Sequence, residues 1–112
     1  WFWTSSDLVW TENVLMARGT RQTPNWCLKI QDGLLIFETS DGTMCDWLTT
    51  PMPTSIDAHM IGMSYNSNTK ARRLFLDGVI VAEDTALHGT APIANTGIAF
   101  GSLCNGGPTF TG

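Results

Sequence analysis

The sequence contains three Asp-Gly dipeptides, each flanked by short apolar runs: Asp32-Gly33, Asp41-Gly42 and Asp77-Gly78. A two-residue hairpin turn of type I′ needs a positive φ angle at both turn positions, and Asp-Gly is one of the few pairs that adopts it at low cost. Such a turn also sets the register of the two strands that it joins. Three of these turns in one short chain predict an antiparallel β protein built from hairpins.

The apolar residues around the turns recur with the period of two that is typical of β-strands. Within Trp26 to Gln31 every second side chain is large and apolar, and the run from Ala58 to Tyr65 alternates in the same way. Further short apolar runs are Val14 to Ala17, Leu34 to Phe37, Leu74 to Leu76, Val79 to Ala82 and Ile98 to Phe100. No window keeps the apolar stripe of an amphipathic helix. The pattern predicts an all-β fold, an antiparallel β-sandwich or barrel.

The first Asp-Gly turn predicts one face of the hydrophobic core. Across Asp32-Gly33, a two-residue loop pairs Ile30 with Leu35 and Leu28 with Phe37. All four side chains then point to the same side of the sheet, because side chains two residues apart share a face. We therefore expect this hairpin to close on the core.

The third Asp-Gly turn predicts a second hairpin in the same way. Across Asp77-Gly78 we expect these partners: Phe75 with Ile80, Leu74 with Val81, and Arg72 with Glu83. The Arg72–Glu83 pair is expected to be exposed and to contribute only about 0–1 kcal/mol.

The middle turn bears on the three cysteines. If Asp41-Gly42 also forms a two-residue turn, Glu38 lies between Cys27 and Cys45 on three neighbouring strands. The same register makes Trp47 face Ile36, on the side of the sheet opposite the buried Leu28 and Phe37. The two cysteines are then separated by two strand spacings, roughly 9–10 Å. A disulfide needs Cα atoms within about 7 Å, so a bond between them is disfavoured. Either Cys104 forms a disulfide with one of them, or all three are small hydrophobic thiols. The cysteines therefore do not tell whether the protein resides in an oxidising or a reducing compartment.

The composition excludes several classes of function. Hydrophobic residues make up 43% of the chain and charged residues 14%, which is unlike a disordered segment. The formal net charge is −4 and the basic residues are scattered, so neither nucleic acid nor an anionic membrane is an expected partner. No apolar run approaches the roughly 18 residues of a membrane-spanning helix. The chain also opens without a basic, Met-initiated leader, so we expect a signal peptide either to have been removed or to lie outside a fragment.

We find no pattern of residues that predicts catalysis. His59 lies in a strand and is expected to be a buried, hydrogen-bonded histidine, while His88 is expected in a surface loop. The nucleophile-elbow and His-Glu-x-x-His motifs are missing from the sequence. Glu83 and Asp84 are adjacent, so in a strand they point to opposite faces and cannot act as the paired carboxylates of a glycosidase. The sequence therefore predicts a protein that is not an enzyme.

Several segments, in order along the chain, resemble the laminin-G-like domains of the concanavalin A-like lectin superfamily. The segments are Trp1 to Trp3, Val14 to Gly19, Ala58 to Asn66, Arg72 to Ala82, Ile98 to Ser102 and Phe110 to Gly112. Ala58 stands where that family usually has Trp. The resemblance implies a single jelly-roll β-sandwich over residues 1–112 in a short or truncated version, with the family's first and last strands missing. It also favours an extracellular or cell-surface location.

The resemblance and the five tryptophans together point to a binding role. Aromatic rings commonly stack on sugars. Trp26 belongs to the core face and Trp1 and Trp3 to a structural strand, which leaves Trp10 and Trp47; packing at an oligomer interface is the alternative role for these two. We assign Asn66 and Asn68, in a polar loop, to the same carbohydrate site. Calcium is the cofactor that the resemblance allows, with Asp41 and Asp46 as its candidate ligands.

Three functions remain open at this point. The first is a non-catalytic module for carbohydrate binding or adhesion, whose partner is a glycan or protein ligand. The second is a protein-interaction or assembly domain, in which a homo-oligomer or a larger chain completes the sheets, since unpaired apolar edges favour association. The third is an accessory fragment of a larger glycan-active enzyme.

Overall fold

Two antiparallel sheets make up the fold in the computed structural model, which describes residues 2–4, 13–19, 24–53, 59–90 and 98–100. The strands of these residues are β1 (Phe2–Thr4), β2 (Asn13–Gly19), β3 (Pro24–Gln31), β4 (Leu34–Ser40), β5 (Cys45–Pro51), β6 (His59–Tyr65), β7 (Ala71–Leu76), β8 (Val79–Thr85) and β9 (Ile98–Phe100). One sheet has the order β1-β6-β7-β8 and the other β5-β4-β3-β2-β9. The predicted all-β sandwich is confirmed. Among the described residues, no helix is long and apolar enough to cross a membrane.

The hydrophobic core lies between the two sheets. Its buried members are Leu15, Leu28, Ile30, Leu35, Phe37, Leu48, Met52, Ile61 and Leu74. Trp26 packs against this cluster, as its place in the alternation predicts. Phe37 of the five-stranded sheet meets Tyr65 of the four-stranded sheet edge to face, with ring centroids 6.4 Å apart. Burying each large apolar side chain contributes about 1.5–3 kcal/mol, so this interface holds the two sheets together.

The hairpin at Asp32-Gly33 forms as predicted. Asp32 and Gly33 both have positive φ angles, 52° and 79°. Ile30 pairs with Leu35 and Leu28 with Phe37, and all four side chains are buried. The turn chemistry and the alternation agree here, so the register follows from the sequence.

The hairpin at Asp77-Gly78 forms, but its register differs from the prediction beyond the first pairs. Phe75 pairs with Ile80 as expected. A register shift follows between Leu74 and Phe75, so Leu74 pairs with Ala82 rather than Val81. The expected Arg72–Glu83 pair is wrong for the same reason. A β-bulge places one extra residue on one strand and displaces every later pair by one position.

The bulge gives Arg72 a role that the predicted register does not assign to it. Arg72 pairs with Asp84 and is only 2% exposed, whereas Arg73 takes the exposed position opposite Glu83. The Arg72 guanidinium donates to both carboxylate oxygens of Asp84, from Nε at 2.8 Å and from Nη2 at 2.7 Å. Its Nη1 donates to the Thr39 hydroxyl at 3.1 Å and to the Asp46 carbonyl at 2.8 Å. One side chain of the smaller sheet thus bonds to two strands of the larger sheet.

The predicted two-residue turn at Asp41-Gly42 is wrong, because the connection is longer. Ser40 pairs with Cys45, so residues 41–44 form the loop between β4 and β5. Glu38 therefore faces Trp47 rather than Cys45, and Ile36 faces Thr49 rather than Trp47. The slip is two residues, so every side chain of β5 keeps its predicted face.

The cysteines agree with the expectation that Cys27 and Cys45 are not bonded to each other. Cys27 is buried and packs with Val14 and Ala17, which makes it one of the small hydrophobic residues of the sheet. Cys45 is exposed at the start of β5. Cys104 lies outside the described residues, so its state stays open.

His59 is buried and hydrogen-bonded, as predicted. Its Nδ1 lies 2.9 Å from Asp77 Oδ2, and Asp77 Oδ1 accepts the Met60 N–H at 3.0 Å. These contacts hold the pKa of the Asp77 carboxyl below its ordinary value, with the His59 hydrogen bond as the larger cause. Asp77 therefore forms part of the turn between β7 and β8 and also connects that turn, by hydrogen bonds, to the start of β6.

Candidate functional site

Three side chains form a polar cluster on the outer face of the five-stranded sheet, which we call the Trp47 site: Lys29, Glu38 and Trp47. Each comes from a different neighbouring strand, β3, β4 and β5, and alternation points all three away from the core. Glu38 lies directly opposite Trp47 in the ladder. The Trp47 indole Nε1 donates to Glu38 Oε2 at 2.7 Å, and Lys29 Nζ lies 3.1 Å from the same oxygen.

The Trp47 ring is held in place yet accessible. Lys29 Nζ sits over the ring, 4.6 Å from its centroid, so a cation covers one ring face. Trp47 is nevertheless 49% exposed, so part of the residue stays accessible to a ligand. A ring fixed by a hydrogen bond at one end and by a cation on one face loses little conformational freedom when a ligand stacks on it.

Cys45 borders the Trp47 site along the same strand. Burial raises the pKa of its thiol, and the Glu38 carboxylate adds to that increase while a hydrogen bond with Ser40 opposes it. The thiolate is the nucleophilic form of cysteine, so a raised pKa lowers the thiolate fraction at neutral pH. The site offers an aromatic face, an ion pair and a neutral thiol, which are groups for binding.

Asp41, one of the two predicted calcium ligands, organises the loop between β4 and β5. Its Oδ1 accepts the N–H groups of Thr43 and Met44, both at 2.8 Å, and its Oδ2 lies 3.2 Å from His88 Nδ1. The pKa of Asp41 lies below its ordinary value, chiefly because of the two backbone donors and then because of His88. This carboxylate is therefore engaged with two backbone N–H groups and with the His88 ring.

Asp46, the other predicted calcium ligand, meets the same histidine from the other side. Its Oδ2 accepts the backbone N–H of His88, while its carbonyl accepts from Arg72. Calcium takes six to eight oxygen ligands, and the described residues hold no group of three or more His, Cys, Asp or Glu side chains placed for a metal. The two carboxylates do come together around His88, and calcium binding by them stays a prediction.

The predicted sugar-binding residues Asn66 and Asn68 lie in the turn between β6 and β7. Asn66 Oδ1 accepts the N–H of Asn68 at 2.9 Å and that of Thr69 at 3.2 Å, which is the capping role of an Asx turn. Lys70 closes the turn with a φ of 62°, and its carbonyl accepts the Ala86 N–H at 2.8 Å. The turn is thereby joined to the segment that carries His88, the partner of Asp41.

Two shallow depressions lie on the four-stranded sheet around Arg73. The larger, about 280 Å³, is lined by Ala71, Arg72, Arg73, Glu83, Asp84 and Thr85. The smaller, about 210 Å³, is lined by Ser64, Tyr65, Asn66, Ala71 and Arg73. Arg73 and Glu83 form an exposed ion pair at 3.2 Å between them. Tyr65 is the one aromatic residue of these linings, and it is partly buried against the core.

Of the predicted site residues, Trp47 is the one that the structure places in an accessible, prearranged cluster. Trp10 lies outside the described residues. Lys29 and Glu38 were missed as members of the site, although alternation puts both on the same face as Trp47. Their mutual contact was not foreseen, because the ladder position of Trp47 depends on the length of the 41–44 loop.

The strand order and the two face-to-face antiparallel sheets define the fold of the described residues as a β-sandwich. The chain is similar to a solved structure of domains LG4-5 of the mouse laminin α1 chain, with a TM-score of 0.64 and 16% sequence identity. The match covers 84% of this chain and 25% of the laminin chain, so this chain spans about a quarter of the laminin chain's length. No family model and no curated protein matches the sequence. The fold implied by the sequence resemblance is confirmed; the extent of the domain stays a prediction.

Proposed function

We propose that this chain is a non-catalytic glycan-binding module whose stacking platform is the exposed ring of Trp47. The observation that carries the proposal is the arrangement of the ring: it is half exposed, yet it is fixed by Glu38 and Lys29. A sugar ring has apolar C–H faces that pack on an aromatic face, and hydroxyl groups that bond to polar neighbours at the ring edge. Glu38 supplies such a neighbour.

The carboxylates of β8 support a binding role without catalysis. Glu83 and Asp84 point to opposite faces of their sheet, as the sequence predicts, and each is held by an arginine. Glycoside hydrolysis needs two carboxyl groups that face one scissile bond. The fold is also that of a laminin domain, although at 16% identity the comparison extends to the fold alone.

Replacing Trp47 by alanine tests the proposal. We expect Trp47→Ala to weaken binding to a soluble polysaccharide by about tenfold or more, because the stacking face is lost. Trp47→Phe keeps a ring but loses the Nε1–H donor, so an intermediate loss of about threefold is expected. The measurement is retardation in native gels that contain polysaccharide, across a panel of glycans.

The control is Leu87→Ala. Leu87 is 77% exposed and lies neither in the Trp47 site nor in strand β8. It should leave binding unchanged, and thermal unfolding should show that all three variants are folded. The proposal fails if no glycan of the panel is bound, or if Trp47→Ala binds as well as the unmodified chain.

A second candidate function, assembly with another copy of the chain, is favoured by strand β8. Among the described strands β8 pairs with β7 alone, and three consecutive apolar residues on it are exposed: Val79 by 62%, Ile80 by 47% and Val81 by 37%. An exposed apolar edge strand pairs readily with a second strand. We propose that two copies of the chain pair along this edge.

Light scattering over a range of concentrations tests this assembly. We expect the chain to form a dimer. Val79→Lys should raise the dissociation constant of that dimer by at least about tenfold, because a lysine on an edge strand blocks strand pairing. Leu87→Lys is the matched control, since Leu87 is 77% exposed but lies beyond the end of β8. A strict monomer at every concentration excludes the assembly, and equal effects of both variants exclude β8 as its surface.

A further inference from the structure

We propose that the Trp47 site selects neutral sugars over acidic ones. The proposal rests on the glycan-binding function and adds the chemical class of the ligand. It is argued from the charges that surround the ring. A sulfated or uronic sugar gains affinity from a cation that its acid group can reach, so the question is whether the site offers one.

Lys29 is the cation at the ring, and its charge is already engaged. Its side chain is only 8% exposed, although it lies on the outer face of the sheet. Its ammonium group faces Glu38 Oε2 at 3.1 Å and the Trp47 ring at 4.6 Å. An acidic ligand would have to displace Glu38 to reach the Lys29 ammonium group. The Glu38 carboxylate, whose side chain is only 15% exposed, would then lose its charged partner, which is costly.

Glu38 makes the edge of the ring suitable for hydroxyl groups. A carboxylate is an acceptor only, with about four lone-pair positions on its two oxygens. Trp47 and Lys29 use Oε2, and a sugar hydroxyl can donate to the positions that remain. A sulfate or carboxylate on the ligand has no proton to donate and is repelled by Glu38 instead.

The wider charge distribution acts in the same direction. Arg72 and Arg73 belong to the other sheet, where Asp84 and Glu83 already neutralise them. The chain carries a formal net charge of −4, so its field repels a polyanion at long range. Both the local cluster and the overall charge therefore disfavour acidic glycans.

Binding of neutral and anionic polysaccharides, measured side by side, tests the selectivity. The probes are galactomannan and β-glucan on the neutral side and heparin and alginate on the anionic side. We expect the better neutral probe to bind at least about tenfold more tightly than either anionic probe, with little dependence on salt. Anionic binding that is lost in Trp47→Ala overturns the selectivity but leaves the glycan-binding function intact. No binding by any probe overturns the function itself.

A charge-removing variant tests the cause of the selectivity. Glu38→Gln keeps a carbonyl oxygen for the Trp47 Nε1–H donor and removes the negative charge that faces Lys29. We expect anionic probes to bind at least about threefold more tightly, with a salt-dependent affinity. Neutral probes should instead bind somewhat more weakly, because an amide oxygen is a weaker acceptor for a sugar hydroxyl than a carboxylate. Glu83→Gln is the matched control, because it makes the same change in net charge on the opposite sheet. No gain in Glu38→Gln, or an equal gain in both variants, overturns the role of Glu38.

Discussion

Replacing Arg72 by alanine is expected to lower the free energy of unfolding by about 3 kcal/mol, the loss that follows when one partner of a buried ion pair is removed. Asp84 is 37% exposed, so water can hydrate its carboxylate after the change. The acceptors on the other sheet are less accessible: Thr39 is fully buried, and the Phe37 and Asp46 carbonyls both receive the same guanidinium nitrogen. Their desolvation without a donor supplies most of the cost.

Urea denaturation followed by tryptophan fluorescence measures this loss. Arg73→Ala is a close control, because Arg73 is the next residue, has the same side chain and pairs with Glu83, but is 54% exposed. We expect it to change the stability by no more than about 1 kcal/mol, as for other surface ion pairs. Similar losses for the two variants would contradict the role of Arg72 as the polar bond between the sheets.

Replacing Phe37 by alanine is expected to destabilise the fold by about 4 kcal/mol, the usual cost of emptying a buried aromatic site. Phe37 is 1% exposed and lies at the centre of the core. Its ring makes the edge-to-face contact with Tyr65 of the facing sheet, so the cavity would open at the interface between the sheets. The removed ring atoms lose their burial, and the surrounding side chains lose their packing contacts.

The same urea titration measures the Phe37 variants. Phe37→Leu refills most of the volume and should cost about 1–1.5 kcal/mol, so the two substitutions form a graded pair. Ile80→Ala, which removes an exposed apolar side chain, should change the stability by about 0.5 kcal/mol or less. A loss below about 2 kcal/mol for Phe37→Ala would show that the two sheets can close over the cavity.

The strand faces followed from the sequence with little dependence on the rest of the structure. Side chains alternate strictly between faces, so the buried position of Leu28 and Phe37 and the outward position of Trp47 were both predictable. The prediction for Trp47 remained correct although its partner was wrong. The 41–44 loop is two residues longer than the predicted turn, and a slip of two residues leaves every side chain on the same face.

Partners across strands were less predictable, because they depend on where a ladder is interrupted. One bulge between Leu74 and Phe75 moved Arg72 from Glu83 to Asp84. An exposed surface pair was expected, and a buried bond between the sheets was found. Alternation puts Arg72 on the face of Leu74 and Arg73 on the other, but it does not reveal that acceptors on the facing sheet, Thr39 and Asp46, await Arg72.

The candidate site likewise combines features that the sequence predicted with features that it did not. By itself the sequence determined an all-β chain, its hairpin turns and the outward face of Trp47, because turn chemistry and period-two alternation act over a few residues. Only the tertiary structure decided that Glu38 and Lys29 hold the Trp47 ring, and that His88 joins Asp41 and Asp46 on the rim. Those contacts depend on loop length and on strands far apart in the chain, which local patterns do not encode.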